Sequence, residues 1–306
     1  MGEVQQDKIK LEIEEQENLY KVSYSQGISG FFHSIWSNRL SRIGLIILSV
    51  FLLISIFGPM ILDSPKSDYL NRLKSPSLAH PLGTDFSGKD TLVQLILGSR
   101  DVLLVSAYTA VFSITFACIV GIVSGLFGGK LDEILMMFTN IVLTIPSFPV
   151  TMILSMAIQI DNQLTFGLVL CLWSWAGLAR AIRSQVLTIK HREFIEASRI
   201  MGLSNMKIII NDILPNIVSY IAVNFISIMK GAILASVGLM YLGLVPFKGN
   251  HWGMMINLAL SQTGALLGSS SMIYFISPVV CIVLFQLGCY LFATGLDEAL
   301  NPRLRA

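Results

Sequence analysis

Charge is scarce in this sequence. Only 13% of its 306 residues are Asp, Glu, Lys or Arg, about half the share found in a typical soluble domain. The formal net charge is only +2, so no strongly basic surface argues for nucleic-acid binding. The four cysteines lie inside apolar runs, without the spacing of a CxxC pair or a zinc knuckle. These scarcities exclude a free cytosolic enzyme, a disulfide-stapled secreted scaffold and a disordered hub.

Catalytic and nucleotide-binding motifs are missing as well. Neither Gly-Lys pair is followed by Ser or Thr, because Asp90 and Leu131 stand there, so neither forms the phosphate-binding loop of an ATPase. The sequence also has no HExxH motif and no Ser/His/Asp arrangement. We predict that the chain is not an enzyme and that it binds no cofactor or metal itself.

Apolar residues are abundant, at 54% of the chain, and the mean hydropathy is +0.70. A helix needs about 20 apolar residues to cross the hydrocarbon core of a bilayer. The stretches long enough are residues 43–62, 102–127, 134–158, 164–179, 217–244 and 272–294. Lipid offers no partner for backbone amides, which favours helices. The predicted fold class is therefore an all-α polytopic membrane protein with six transmembrane helices, the third bent by Pro146 and Pro149.

Lys and Arg are distributed unevenly between the two sides of the predicted helices. Fourteen lie on the side that carries both chain ends, six lie on the other side, and Lys230 lies within the fifth span. Positive residues accumulate in the cytoplasm, so both ends are predicted to be cytoplasmic. The predicted organisation is a cytoplasmic N-terminal tail (1–35), a first transmembrane helix (36–62), an extracytoplasmic loop with an amphipathic segment (63–101), a core of five transmembrane helices (102–295) and a cytoplasmic C-terminal tail (296–306).

The predicted cytoplasmic stretch 179–202 is patterned as a helix. Its apolar residues recur at near-helical spacing and are Ile182, Val186, Ile189, Phe194 and Ala197. Gly202 can end a helix because glycine adopts left-handed geometry without strain. Ser204 or Asn205 can then cap a second helix. Two short helices joined at a glycine in this way suit docking into a groove of a soluble partner. The alternative is an ordinary amphipathic surface loop.

Motifs along the chain resemble one family of membrane transporters. The sequence Glu-Ala-Ser-x-x-x-Gly at 196–202, followed by Asp-Ile-Leu-Pro at 212–215, is similar to the EAA loop of ABC-importer permeases. Other segments resemble the C-type permease of dipeptide, oligopeptide and nickel importers, and these are 80–90, 98–100, 128–133, 144–146, 175–183 and 295–303. The resemblance covers roughly residues 36–305. The positions that depart from the family pattern are Ser198 for alanine, Asp212 for a frequent histidine, Asn140 for aspartate and Ser236 for glutamate.

This resemblance implies a type I ABC-importer permease fold in a prokaryotic inner membrane, with a cytoplasmic coupling helix in the loop 190–215. It also implies a heterodimer with a second, homologous permease, two cytoplasmic ATP-binding subunits that use ATP and Mg²⁺, and an extracytoplasmic substrate-binding lipoprotein. The residues implied to dock the ATPases are Arg192, Glu196, Ala197, Ser198, Arg199, Gly202 and Leu203. The expected cargo is di- or oligopeptides, moved by alternating access.

Two other transport functions stay open at this point. The first is a nickel or metal-chelate importer of the same family. The second is a secondary transporter or channel driven by an ion gradient, which predicts inverted repeats and paired carboxylates inside the membrane. No Asp or Glu lies in the middle of any of the six predicted spans, which disfavours the second function.

The fifth predicted span carries a stripe of small and polar residues. The stripe consists of Tyr220, Asn224, Ser227, Gly231, Ala235 and Gly238. It predicts either a water-filled path or tight helix packing. The residues predicted to line a translocation path are Asn224, Ser227, Lys230, Gly231 and Ser236. A lysine in mid-membrane is costly, so Lys230 is predicted to meet a substrate carboxylate, to pair with the second permease, or to extend to the membrane surface.

Overall fold

The computed structural model describes residues 36, 38–246, 249–263 and 269–300, with the side chains of 269–271 and 297–300 outside the description. The predicted tail at 1–35 and most of the predicted C-terminal tail also lie outside it. The helices are α1 (Arg39–Ile61), α2 (Thr91–Phe127), α3 (Gly129–Thr144), α4 (Ser147–Ala157), α5 (Gln163–Ser174), α6 (Ala176–Ile189), α7 (Glu193–Ile200), α8 (Asn205–Ile208), α9 (Leu214–Tyr241), α10 (Trp252–Thr263) and α11 (Ser269–Leu300). Short 3₁₀ and π turns lie at Tyr69–Asn71 and Ile209–Ile213.

Four helical runs are long and apolar enough to cross a membrane, namely α1, α2, the run Asn205–Tyr241 and the part Met272–Leu296 of α11. Two bent pairs pass the same test together, α3 with α4 at 85° and α5 with α6 at 54°, and counting each pair as one span gives six. Among the residues that the structure describes there is no β-strand, and only an isolated bridge joins Thr84 and Asp90. The prediction of an all-α, multi-pass membrane protein is confirmed.

The bend predicted in the third span lies where proline interrupts the helix. Pro146 precedes the first residue of α4, and Pro149 lies in its first turn. Because proline cannot donate a backbone hydrogen bond to the preceding turn, α3 ends at Thr144 and the chain restarts in a new direction. The bend is confirmed.

Helix α2 is the centre of the bundle and is longer than predicted. It begins at Thr91 rather than 102, because the Asp90 carboxylate caps it by accepting the N–H of Val93 at 2.9 Å. The amphipathic stretch before the second span is therefore the first part of the same helix. Helices α1, α5, α6 and α9 all pack against α2, and glycines at 121 and 125 let α6 approach its backbone closely.

The long loop between α1 and α2 is tied together around one buried carboxylate. Asp85, which is 2% exposed, accepts the backbone N–H groups of Ser87 and Lys89 at 2.7 and 2.8 Å and the side-chain amide of Gln94 at 3.0 Å. Gly88 has a φ of +78°, and a Cβ there would lie 1.7 Å from a backbone oxygen of the same loop. The loop is therefore a folded unit fixed to the first part of α2.

Candidate functional site

The most strongly patterned segment of the sequence forms two helices joined at a glycine, and we call residues 193–208 the corner. Gly202 has a φ of +74°. Its N–H donates to the carbonyl of Arg199 at 2.9 Å, and the N–H of Leu203 donates to the carbonyl of Ser198 at 3.1 Å. This pair of hydrogen bonds is the helix ending that glycine favours. The prediction that Gly202 ends the helix in left-handed geometry is confirmed.

Ser204 starts the second helix of the corner, as one of the two predicted caps. Its side-chain oxygen accepts the N–H of Lys207 at 3.4 Å. The side chain of Ile195 then fixes the corner to the bundle, because it is fully buried in a cluster formed with α2, α6 and α9. The corner is therefore a defined structure and not a free surface loop.

The buried face of α7 differs from the predicted one. Phe194 and Ala197 were predicted to continue the apolar face of α6, but both are exposed, and Ile195 and Ser198 are buried instead. The physical reason is a break in the helix at 190–192. A break changes the direction in which each following side chain points, so the face predicted for one continuous helix is wrong after it.

The outer face of the corner combines exposed apolar and charged side chains. The large apolar side chains that are exposed there are Phe194, Ile200, Met201 and Met206, with Ile200 at 87%. The predicted docking residues that are exposed there are Glu196, Ala197, Arg199 and Gly202, and Arg192 is exposed directly before the corner. Clusters of exposed apolar residues with a charged surround mark contact surfaces. The arrangement can therefore bind a complementary groove on another protein.

Two predicted docking residues do not lie on this outer face. Leu203 is half-buried and packs against the cluster around Ile195. Ser198 is 5% exposed, and its hydroxyl donates to Oδ2 of Asp212 at 2.9 Å. The hydrogen bond joins α7 to the turn that leads into α9. Both of its members are positions where the sequence departs from the family pattern.

A charged network next to the corner was missed by the site prediction. The guanidinium of Arg183 on α6 donates two hydrogen bonds to Asp132 on α3, at 2.6 and 2.5 Å. The hydroxyl of Ser124 also bonds to Asp132, and Nζ of Lys190 donates to the carbonyl of Gly125 at 3.0 Å. A pair joined by two parallel hydrogen bonds holds its two side chains in one relative orientation. They hold α2, α3 and α6 together at the end of the bundle that carries the corner.

The predicted path residues on α9 do not share one environment. Ser227 and Gly231 are exposed, and a Cβ added at Gly231 would meet nothing within 4 Å. The half-buried Asn224 bonds to its own helix, at the carbonyl of Tyr220. Ser236 is fully buried and donates to the carbonyl of Ile233 in the same helix. Ser236 therefore borders no open space in this structure, and its hydroxyl is used inside α9.

Lys230 lies beside the exposed part of the α9 face. Its ammonium is 5.9 Å from the centre of the Tyr290 ring on α11. Tyr290 itself is 60% exposed. The side chain of Gln286 donates to the Lys230 carbonyl at 3.0 Å. Lys230 is half-buried, and no ion pair with a carboxylate is found for it among the residues described. The ammonium therefore lies between α9 and α11, stabilised by an aromatic face.

A cleft between α4, α5 and α9 continues the exposed stripe. Its polar lining includes Ser147 and Thr151 on α4 and Ser174 on α5, while Gly231 and Ala235 line it from α9. Small residues on α9 leave room there, and hydroxyl groups offer hydrogen bonds. Part of the predicted stripe therefore borders an open cleft that no other part of the described chain fills.

His80 and His251 each contact other residues of this chain. Nδ1 of His80 lies 2.8 Å from a carboxylate oxygen of Asp90. His251 is fully buried beside the ring of Phe166, and burial lowers the pKa of His251 to about 3. Its Nδ1 accepts the N–H of Gly253. Among the residues described, no three His, Cys, Asp or Glu side chains come together as metal ligands.

Comparison with known proteins connects this arrangement to transport. Residues 117–306 match the family model described as binding-protein-dependent transport system inner membrane component, and 29–76 match the N-terminal TM domain of oligopeptide transport permease C. The oligopeptide transport system permease protein OppC of Bacillus subtilis is 33% identical over 88% of this chain and 87% of its own length. The dipeptide transport system permease protein DppC of the same organism is 31% identical over 93% and 87%. OppC of Haemophilus influenzae is 34% identical over 74% and 71%.

Proposed function

Because this chain belongs to the family of binding-protein-dependent transport system inner membrane components, we propose that it forms, with a second homologous permease, the path by which an ABC importer moves di- and oligopeptides across a prokaryotic inner membrane. The chain is a multi-pass membrane permease. Its relatives are named for oligopeptide and dipeptide transport, which supports peptides as cargo. The observation that carries the proposal is the corner, with its exposed apolar and charged outer face.

In this proposal two ATP-binding subunits bind the corner from the cytoplasm, and a substrate-binding lipoprotein docks at the opposite membrane surface. The excess of Lys and Arg on the side of both chain ends supports this orientation. Each bent helix pair counts as one span, so the permease crosses the membrane six times. ATP and Mg²⁺ belong to the ATP-binding subunits, and this chain contributes binding surface and movement.

Energy enters through the corner as mechanical work. When ATP brings the two ATPases together, their grooves carry α7 with them, and the anchored corner moves the bundle between inward and outward access. The exposed charges of Glu196 and Arg199 meet complementary groups on the ATPases, and Ala197 permits close approach. Ile195 and the pair of Asp132 and Arg183 make the end of the bundle move as one body.

Reconstituted transport tests the proposal. The permease pair, both ATPases and the binding protein are placed in proteoliposomes, and uptake of a labelled oligopeptide is measured with ATP, without ATP and with an imposed ion gradient. We expect uptake only with ATP and the ATPases, together with cross-linking of the Ala197→Cys variant to an ATPase. Uptake driven by the ion gradient alone, or uptake of a nickel chelate in place of peptides, would contradict the proposal.

Lys230 is proposed to bind the carboxylate of the cargo as it passes α9. Replacement by methionine removes the charge and keeps an unbranched chain, so uptake of a peptide with a free C-terminus is expected to fall by about tenfold, the effect of one charged hydrogen bond. Uptake of the same peptide with an amidated C-terminus should change little. The measurement is the ratio of the two initial uptake rates, with the affinity of the binding protein for each peptide determined alongside.

Lys230→Arg is the matched control, because it keeps the positive charge and should keep the preference for the free C-terminus. If Lys230 instead pairs with the second permease, Lys230→Met lowers the yield of the permease pair and affects both peptides equally. That result, or uptake unchanged for both peptides, excludes the carboxylate role.

A further inference from the structure

One hydrogen bond connects the first helix of the corner directly to the membrane helix that follows it. Ser198 lies on the inner face of α7, and Asp212 lies in the π turn before α9. The hydroxyl of Ser198 donates to Asp212 Oδ2 at 2.9 Å, across fourteen residues of chain. The bond closes the segment 198–212 into a loop that contains Gly202.

The helix needs such a tie at this place because its backbone is irregular there. Pro215 follows the π turn and has no N–H to give to the preceding turn. The N–H of Leu214 bonds to the carbonyl of Ile209, five residues back, which is the widened spacing of a π turn. A widened turn beside a proline allows the helix to bend, so a force on the corner could be lost at this point.

The other side-chain contacts that hold the corner to the bundle are apolar among the residues described. Ile195 is held by apolar packing, which is not directional. A Cβ added at Gly202 would meet no atom within 4 Å, so no other part of the chain packs against the turn there. The bond between Ser198 and Asp212 is directional, has a carboxylate acceptor and joins α7 to the turn before α9, so it restrains the angle between these two helices.

We infer that Ser198 and Asp212 are positioning residues that transmit the movement of the docked ATPases to α9. The inference rests on the proposed function and extends it from docking to transmission. Ser198 was predicted to touch the ATPase, and its inward hydroxyl gives it this different role. When the bond is absent, α7 can follow the ATPase while α9 stays behind, so that ATP is hydrolysed without transport.

The test measures ATP hydrolysis and peptide uptake in the same proteoliposomes. For Ser198→Ala we expect the ATPases to stay bound and hydrolysis to remain near the wild-type rate, while the ATP consumed per peptide rises by about tenfold, the effect of losing one charged hydrogen bond. Asp212→Ala should give the same ratio. The double variant should be no worse than either single one, because both remove the same bond.

Two conservative variants and one control complete the design. Ser198→Thr keeps the hydroxyl and Asp212→Asn keeps an acceptor oxygen, so both should retain a ratio near that of the wild type. Thr188→Ala on α6 removes a hydroxyl that bonds only within its own helix and should change nothing. A fall of hydrolysis and uptake in parallel, or an unchanged ratio in both alanine variants, overturns the inference. If the wild-type complex shows no ATP-dependent uptake, the proposed function itself fails.

Discussion

Valine at position 202 is expected to lower peptide uptake by more than about tenfold while the chain still inserts into the membrane. Gly202 has a φ of +74°, where an L-residue costs about 1–2 kcal/mol and a β-branched one more. The chain escapes this strain by opening the turn, which breaks the two hydrogen bonds that end α7 and displaces its outer face. The measurement is ATP-dependent uptake at equal amounts of membrane-inserted permease.

Asparagine at the same position is the control, because it tolerates left-handed geometry better than other side chains. A Cβ at Gly202 meets nothing within 4 Å, so space does not limit either variant. Gly202→Asn should therefore keep most of the uptake and the binding of the ATPases. Normal uptake by Gly202→Val would show that the corner does not need this geometry, and equal losses in both variants would show that conformation is not the cause.

The corner was predictable from sequence because its signals are local. Gly202 and Ser204 act through their own backbone geometry and through hydrogen bonds within a few residues, and residue type alone is informative about both. Pro146 produced a predictable bend for the same reason. The inner face of α7 was not predictable, since the break at 190–192 contains neither glycine nor proline.

Helix bounds were less predictable where hydropathy falls inside a continuous helix. The first turns of α2 carry polar residues that face the folded loop before them, so hydropathy placed the start at 102 and not at Thr91. The break between α5 and α6 lies at Trp175, where hydropathy does not fall. Trp175 lies in an apolar run, yet its indole N–H donates to the carbonyl of Leu172 and its ring stacks on Phe138 at 6.1 Å. A tertiary contact such as the stacking on Phe138 leaves no periodic signal.

Pairs that are distant in sequence account for most of what sequence reasoning missed. Asp132 and Arg183 were noted only as parts of separate motifs, and the fold brings them together. Asn140, which departs from the family pattern, accepts a hydrogen bond from Arg180 at 2.6 Å. A single sequence contains no signal for either pairing. Opposite charges at the same end of two predicted spans can suggest candidates, but only packing decides which ones meet.

Helices α2 and α6 pack closely at Gly121. The second large prediction is therefore that Gly121→Ala lowers the stability of the permease. A Cβ at position 121 would lie 2.6 Å from the carbonyl oxygen of Ala179 and 2.8 Å from Cβ of Ile182. Neither atom is the end of a flexible side chain, so the helices must separate. Overpacking of this kind costs about 3 kcal/mol, and we expect the unfolding midpoint of the purified complex to fall by about 6 °C or more.

Gly177→Ala is the matched control for this change, since Gly177 lies in α6, the partner helix of α2, and a Cβ there meets nothing within 4 Å. Alanine favours a helix more than glycine does, so this variant should keep or slightly raise the midpoint. Helix α6 leads into the corner, and Gly121→Ala should therefore also reduce uptake at temperatures where the complex stays folded. An unchanged midpoint for Gly121→Ala, or an equal fall for Gly177→Ala, would show that α2 and α6 do not depend on this close approach.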